Sequence, residues 1–419
     1  MISKRTCIAL ILIGLIAGIV GFLLTELMHF MQEFTYGFSR QEFHSFIAGV
    51  EQASPERRVI ALLATGLVGG IGWFLIHRLG SPLVSIAAAV KDPSRPMPTF
   101  TTICHALLQI VTVGMGSPLG REVAPREMSA ALTNYVTKYV QPDMKERSLL
   151  IACAAGAGLA AVYNAPISAA IFTLETLLLA WDRKSILSAL LTAGIATAVV
   201  RLCLGNTLQY ELPDPGFAFS LVPWCLIFAP IVALAVLLFK KSDAYLPKIN
   251  RKSPWIILIS VVAFGIIGLL SIWYPAILGN GKPGNQLTFD HLISAQYALE
   301  LFASKWVAIL LAALAGAYGG RLTPSMMLGS TLALITAVTW NSTIIHFGMD
   351  PTFLISVGGA AFVGAALYLG INQNMPITAV IFLIELSRWS IEYALPISLA
   401  MGLGLAVYYA LKPYVLKEA

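Results

Sequence analysis

The feature that most limits what this chain can become is a set of long runs without a single charge. Residues 6–25, 148–174, 216–239, 253–280, 322–349 and 351–384 contain no Asp, Glu, Lys or Arg. Each reaches the ~20 residues a helix needs to cross the hydrocarbon of a bilayer. Of 419 residues only 11% are charged and 58% are apolar, with a mean hydropathy of +0.79. Soluble domains carry roughly 25% charge, and a surface so poor in charge does not keep a monomer in water. A soluble enzyme, a nucleic-acid binder and a disordered scaffold are excluded together. The net charge of +6 is no nucleic-acid signal, because the basic residues sit in short clusters between apolar runs. The expectation is an all-α polytopic membrane protein, a single transmembrane domain over 1–419 with the lipid bilayer as its solvent.

Basic loops set orientation. Lys4/Arg5, the stretch Lys240, Lys241, Lys248, Arg251, Lys252, and the tail Lys412/Lys417 mark the cytoplasmic side, which places both termini inside. Residues 6–31 read as a retained N-terminal helix, since no small-residue cleavage site follows before Glu26. The five cysteines (Cys7, Cys104, Cys153, Cys203, Cys225) are isolated in apolar surroundings and read as small buried hydrophobes. No HExxH, paired-Asp motif or P-loop occurs, so neither zinc protease, prenyl transferase nor ATP-driven pump chemistry is expected, and no metal or other cofactor. Ser81, Ser117 and His105 have no recognisable triad spacing, so the expectation is not an enzyme.

Two distant segments read alike. Asn164-Ala-Pro-Ile-Ser-Ala-Ala-Ile-Phe-Thr-Leu-Glu175 and Asn374-Met-Pro-Ile-Thr-Ala-Val-Ile-Phe-Leu-Ile-Glu385 share seven of twelve positions, namely Asn, Pro, Ile, Ala, Ile, Phe and Glu. A Gly/Ala-rich stretch precedes each (154–161 and 358–364), and before those come Gly120-Arg-Glu-Val-Ala-Pro125 and Gly319-Gly-Arg-Leu-Thr-Pro324. The same order in both halves defines a first repeat over 58–205 and a second over 216–411. Duplicated halves with Gly/Pro-interrupted spans mark secondary transporters. Each break leaves helix-start amides without a partner, and in lipid these require protein, water or a ligand. A helix start carries about half a positive charge, so an anion suits it. Asn164 and Asn374 themselves read as N-caps, each with Pro in the first turn.

Four charges, Arg121, Glu122, Arg126 and Glu127, interrupt the apolar pattern just after the uncharged run 96–119. An ordinary loop with two salt pairs is one reading. Glycines and prolines on both sides favour a helix break at membrane depth, where ionisable residues are expensive and functional. An ionised Glu there competes with an anion for helix starts, and a protonated one swings away, which couples protons to anions.

With those motifs in order, the chain resembles the CLC family of anion channels and proton-coupled anion antiporters from about Arg58 to Tyr414. Gly120-Arg-Glu-Val-Ala-Pro125 looks like the family's Gly-Arg-Glu-Gly-Pro, with one residue changed and one inserted. The Asn-Ala-Pro helix, Gly279-Asn-Gly281 and Gly319-Gly-Arg-Leu-Thr-Pro324 also follow the family's order. The resemblance implies a CLC-like inverted-topology repeat with broken, tilted helices and half-helix N-termini around an anion site. It also implies a multi-pass protein of the bacterial cytoplasmic membrane, assembled as a homodimer. Glu122 matches the gating, proton-coupling glutamate, with Gly120 and Arg121 in its motif expected at the anion site. Gly80-Ser81-Pro82 lies where the family has Gly-Ser-Gly-Ile-Pro, which puts Ser81 on the central anion-binding serine over a short match. Leu322 and Thr323 match positions that offer backbone amides to the anion. Tyr414 resembles the tyrosine that closes the inner side, with Tyr408 and Tyr409 as alternatives.

Many chloride/proton antiporters of the family carry Glu-Glu at the end of the Asn-Ala-Pro helix, the second acting as inner proton acceptor. Here the chain reads Glu175-Thr176, so Thr176 lacks that carboxylate. The family's channels lack it too. So does its bacterial fluoride/proton branch, which this chain resembles in Val-Ala-Pro after the gating Glu. The expected activity is therefore fluoride/proton antiport. A chloride/proton antiporter or passive chloride channel is the alternative. A sodium-coupled organic-anion carrier leaves the Gly-Arg-Glu match without an account. The role of Arg321, beside the proposed anion site, stays open between pathway lining and a structural salt pair.

Overall fold

The computed structural model describes residues 3–39, 45–212, 218–247 and 249–416. Of the basic markers, Lys248 and Lys417 lie outside the described residues. The first part of the chain forms α1 (Lys4–Tyr36), α2 (Phe46–Gln52), α3 (Pro55–Leu79), α4 (Ile86–Lys91), α5 (Thr99–Gly114), α6 (Val123–Val140), α7 (Met144–Tyr163), α8 (Pro166–Phe172) and α9 (Arg183–Leu204). The second part forms α10 (Leu221–Ala244), α11 (Trp255–Leu270), α12 (Lys282–Phe289), α13 (Ala295–Leu314), α14 (Leu322–His346), α15 (Val357–Gln373), α16 (Pro376–Ser387) and α17 (Ala394–Val415). Among the described residues there is no strand; a lone antiparallel bridge joins Gly120 to Gly320. Nine helical segments among them are long and apolar enough to cross a membrane. The protein is an all-α, multi-pass membrane protein.

The Gly/Ala-rich stretches form its centre. Every residue of α7 from Leu149 to Tyr163 is buried, as is every residue of α15 from Val357 to Asn372. Small side chains let helices approach closely in lipid, where no hydrophobic force drives them together. A Cβ at Gly329 on α14 would overlap the Gly364 carbonyl oxygen of α15, and one at Gly158 on α7 would lie 2.5 Å from the Pro125 carbonyl oxygen at the start of α6. Around this centre α1, α3, α10 and α11 turn Leu and Ile outward, for example Ile8, Leu23, Ile60, Leu226 and Leu258. Cys153 and Cys225 are buried, but Cys203 is exposed on α9, a departure from the reading of all five as buried hydrophobes.

Several uncharged runs hold two helices each. The run 148–174 breaks between α7 and α8, and 351–384 breaks between α15 and α16. At both breaks the Asn is the C-cap of the preceding helix, not the N-cap of the next: Asn164 has φ 56° and Asn374 φ 53°. Asn tolerates this left-handed turn, and it ends a helix as Gly does. The following Pro166 and Pro376 then begin α8 and α16 at the position where no N–H is needed. The amides after them are capped across the molecule. Ile167 and Ser168 N–H donate to the Glu385 carboxylate at 2.9 and 2.7 Å, and Ile377 and Thr378 N–H donate to the Glu175 carboxylate at 2.9 and 2.7 Å. The Ser168 hydroxyl and the Thr378 hydroxyl add one bond each to the same carboxylates. The helix starts that the repeat predicted to be anion-receptive here are filled by the protein's own acids.

Candidate anion and proton site

Two other helix starts meet at the centre. The Gly120 N–H donates to the Gly320 carbonyl at 2.6 Å and the Gly320 N–H to the Gly120 carbonyl at 2.8 Å. This bridge brings the N-terminus of α6 against that of α14. A Cβ on either glycine would overlap the Glu122 carboxylate, which is why glycine stands at both positions. Glu122, directly before α6, is fully buried. Its Oε1 accepts from the Leu322 N–H, first in α14, at 2.7 Å, and its Oε2 accepts from the Tyr163 hydroxyl at 3.1 Å. The buried Thr323 hydroxyl lies beside Tyr163 and has no partner of hydrogen-bonding geometry.

A carboxylate on the first amide of a 25-residue helix is held by the helix's partial positive charge. The same amide serves any small anion once the carboxylate leaves, and protonation removes the charge that holds it. Glu122, the α14 start and Tyr163 thus form a site whose donors suit a carboxylate or a small anion.

The structure gathers Gly120, Glu122, Leu322 and Thr323 in this one place. Arg121 is buried beside it and makes no hydrogen bond to the Glu122 carboxylate. Its guanidinium donates to the Val162 carbonyl at 3.2 Å and to Gln209 Oε1 at 3.3 Å and lies 5.7 Å from the Tyr163 ring centroid. Arg321 forms a two-pronged pair with Asp243, both bonds 2.8 Å.

Ser81 and Tyr414 are not among the hydrogen-bond partners of Glu122. Ser81 and Pro82 are exposed, and the Ser81 N–H donates to Thr101 Oγ1 at 3.2 Å. The reason is local: the next helix, α4, begins only at Ile86 and is capped by Ser85, whose hydroxyl accepts the Ala88 N–H. No helix start is aimed through Gly80-Ser81-Pro82. Tyr414 is 76% exposed on the last turn of α17, beside Pro413. Of the alternatives, Tyr408 is buried and accepts from Lys240 Nζ at 3.0 Å, while Tyr409 donates to Asn374 Oδ1 at 2.9 Å.

Thr176 falls in a π-helical turn, Thr173–Leu178, that extends α8, and its hydroxyl donates back to the Phe172 carbonyl at 2.7 Å. Tyr163 was missed in the sequence, although it directly precedes the Asn-Ala-Pro motif. Glu127, the last charge of the cluster, pairs with buried His105 at 2.9 Å.

A fold of broken membrane helices around one buried acid on a helix start defines an ion-transport protein of the CLC type. The chain matches the family described as "Voltage gated chloride channel" over residues 60–409, and it belongs to that family. It is 26% identical over 399 residues to the H(+)/Cl(-) exchange transporter ClcA of Vibrio parahaemolyticus, covering 90% of this chain and 81% of that one. It is 26% identical over 396 residues to the voltage-gated ClC-type chloride channel ClcB of Escherichia coli O81, covering 90% of both. Its fold matches a slow cyanobacterial Cl-/H+ antiporter with a TM-score of 0.83 at 17% identity, over 98% of this chain and 96% of that one. It matches a CLC-type fluoride/proton antiporter with a TM-score of 0.70 at 18% identity, over 97% and 95%.

Proposed function

We propose that this protein is a proton-coupled anion antiporter, not an enzyme, and that it exports fluoride in exchange for protons. The observation that carries the antiport reading is the Glu122 carboxylate on the Leu322 amide at 2.7 Å. Ionised, Glu122 occupies the α14 start. On taking a proton it releases that start, and the anion binds there. When the anion leaves, Glu122 gives up its proton and returns. One site used in turn by proton carrier and anion makes exchange obligatory.

The fluoride reading rests on Val123-Ala124-Pro125 after the gating Glu, on Thr176 in place of a second acid, and on the altered Gly80-Ser81-Pro82 stretch. Fluoride is small and strongly hydrated, so its site must supply dense donors. The Leu322 amide and the partnerless Thr323 hydroxyl are two such donors. As a weak acid's anion, fluoride enters acidified surroundings as HF and is trapped inside, so exchange against entering protons expels it. Chloride is the second reading, as coupled exchange or as passive conduction. It is favoured by the names of the ClcA and ClcB relatives and by the higher TM-score to the Cl-/H+ antiporter. The same proposal places the protein in a bacterial cytoplasmic membrane with both termini cytoplasmic, as a homodimer of subunits built from two inverted halves.

Proteoliposomes loaded with fluoride or chloride, with anion release and pH followed in one sample, test it. Fluoride release with proton uptake, and much slower chloride release, is the expected result. Fast chloride release moves the protein to chloride exchange, and anion release without a pH change makes it a channel.

A further inference from the structure

An exchanger of this kind needs a way for protons to reach Glu122, which is sealed from solvent. Thr176 offers no acid, and its hydroxyl is tied into its own helix. Elsewhere two bonded pairs of titratable side chains, in ring contact with each other, lie between the start of α6 and the end of α3. Glu127 Oε2 lies 2.9 Å from His105 Nδ1 and accepts from Gln109 Nε2 at 2.9 Å. His105 is buried, and its Nε2 has no hydrogen-bond partner. The Tyr318 ring stands edge-on to the His105 ring with centroids 4.5 Å apart, and the Tyr318 hydroxyl is 2.9 Å from His77 Nε2. His77 lies in the last turn of α3, within electrostatic reach of Arg251 and Lys252, which belong to the basic stretch between α10 and α11.

We propose that His77, Tyr318, His105 and Glu127 form the proton route between the basic-loop side of the membrane and Glu122. This rests on the antiport reading and adds to it the residues that stand in for the missing inner acid. Protons pass along the bonded pairs His77–Tyr318 and His105–Glu127, and the step between the pairs crosses the Tyr318–His105 ring contact to the open Nε2 of His105. No net charge stays on the relay after a transfer. Glu127 and Glu122 flank the first turn of α6, with Arg126 in electrostatic reach of both, and the last step between them requires water. The charged groups facing the relay are Arg126 at the Glu122 end and Arg251 and Lys252 at the other. Arg251 also lies 4.4 Å from the Tyr318 ring centroid and donates to the Gly316 carbonyl at 3.2 Å, which fixes the Tyr318 loop. Trp73, with its ring 5.3 Å from His105 and 5.0 Å from Tyr318, packs both rings in place.

The competing account is a structural pair that fastens α5 to α6. The experiment that separates the two is coupled flux in proteoliposomes, read as protons moved per anion released. Wild type, Glu122→Gln, Glu127→Gln, Glu127→Asp and Tyr318→Phe are compared. The relay predicts that Glu127→Gln and Tyr318→Phe lower that ratio by roughly ten-fold or more while anion release continues. It also predicts that Glu127→Asp restores much of the ratio. Tyr318→Phe keeps the ring and its packing and loses only the hydroxyl, so it decides the matter alone if Glu127→Gln does not fold. An unchanged ratio in Tyr318→Phe overturns the relay, as does a parallel fall of both fluxes at constant ratio. A wild type that releases anion without moving protons overturns the antiport reading first, and the relay with it.

Discussion

Gly120-Arg121-Glu122 and Gly320-Arg321-Leu322 occupy equivalent places in the two halves, hydrogen-bonded to each other through their glycines, yet they do opposite work. The first half brings a carboxylate and the second brings the bare amide it rests on. Their arginines diverge in the same way. Arg121 is buried against Val162 and Gln209, whereas Arg321 pairs with Asp243 at a site about 30% exposed. The reciprocal caps by Glu175 and Glu385, in contrast, are nearly identical in geometry. Likeness between the halves holds the scaffold together, and the unlike pair Glu122 and Leu322 is where the proposed exchange takes place.

The comparison breaks most sharply at the unlike position. Glu122→Gln mimics the protonated acid, so proton coupling should vanish while anion flux persists. Anion-driven pH change surviving in that variant rules out Glu122 as the gate. At the like positions the effect should be on folding. Glu175→Ala and Glu385→Ala each remove two amide caps and a hydroxyl bond to a carboxylate, about 2–3 kcal/mol of stability apiece. Matching losses in detergent melting curves support the equivalence of the two caps, and a large disparity refutes it. Arg121→Met should then cost about 2 kcal/mol, because its carbonyl and amide partners are left buried. Arg321→Met should cost about 0.5 kcal/mol, in keeping with a part-exposed pair. The same melting curves rank them. Smallest of all, Thr176→Ala should change stability by about 0.5 kcal/mol and leave the proton-to-anion ratio intact, since its hydroxyl only bonds its own helix. A loss of coupling comparable to that of Glu122→Gln would return Thr176 to the proton path.

Membrane class and helical fold were legible because the absence of charge over ~20 residues has one physical outcome in a chain this apolar. The roles of Glu122 and Leu322 came from the family resemblance that their motifs carry, and the structure adds the hydrogen bond between the two residues. The caps were not legible. Asn before Pro suits a helix start by local rules, but the chain ends one helix on that Asn and leaves the next to be capped by an acid 218 residues away in the case of Ile167 and Glu385. Ser81 lies exposed ahead of α4, and a three-residue match says nothing about where α4 begins. Tyr163 and the His105–Glu127 pair depend on which faces of α5, α6 and α7 meet, and spacing along one helix does not encode that.

The exchange of caps also bears on how the chain is made. When α8 leaves the ribosome, the acid that will cover its first amides has not been synthesised. Some two hundred residues later Glu385 emerges and closes α8, at the same time as α16 appears and takes up the waiting Glu175. Neither half has a finished form of its own. The final fastening of the first half is therefore delayed until the second is almost complete, and a protein truncated before α16 would keep an unsatisfied helix start. That gives quality control a clear mark of an unfinished chain.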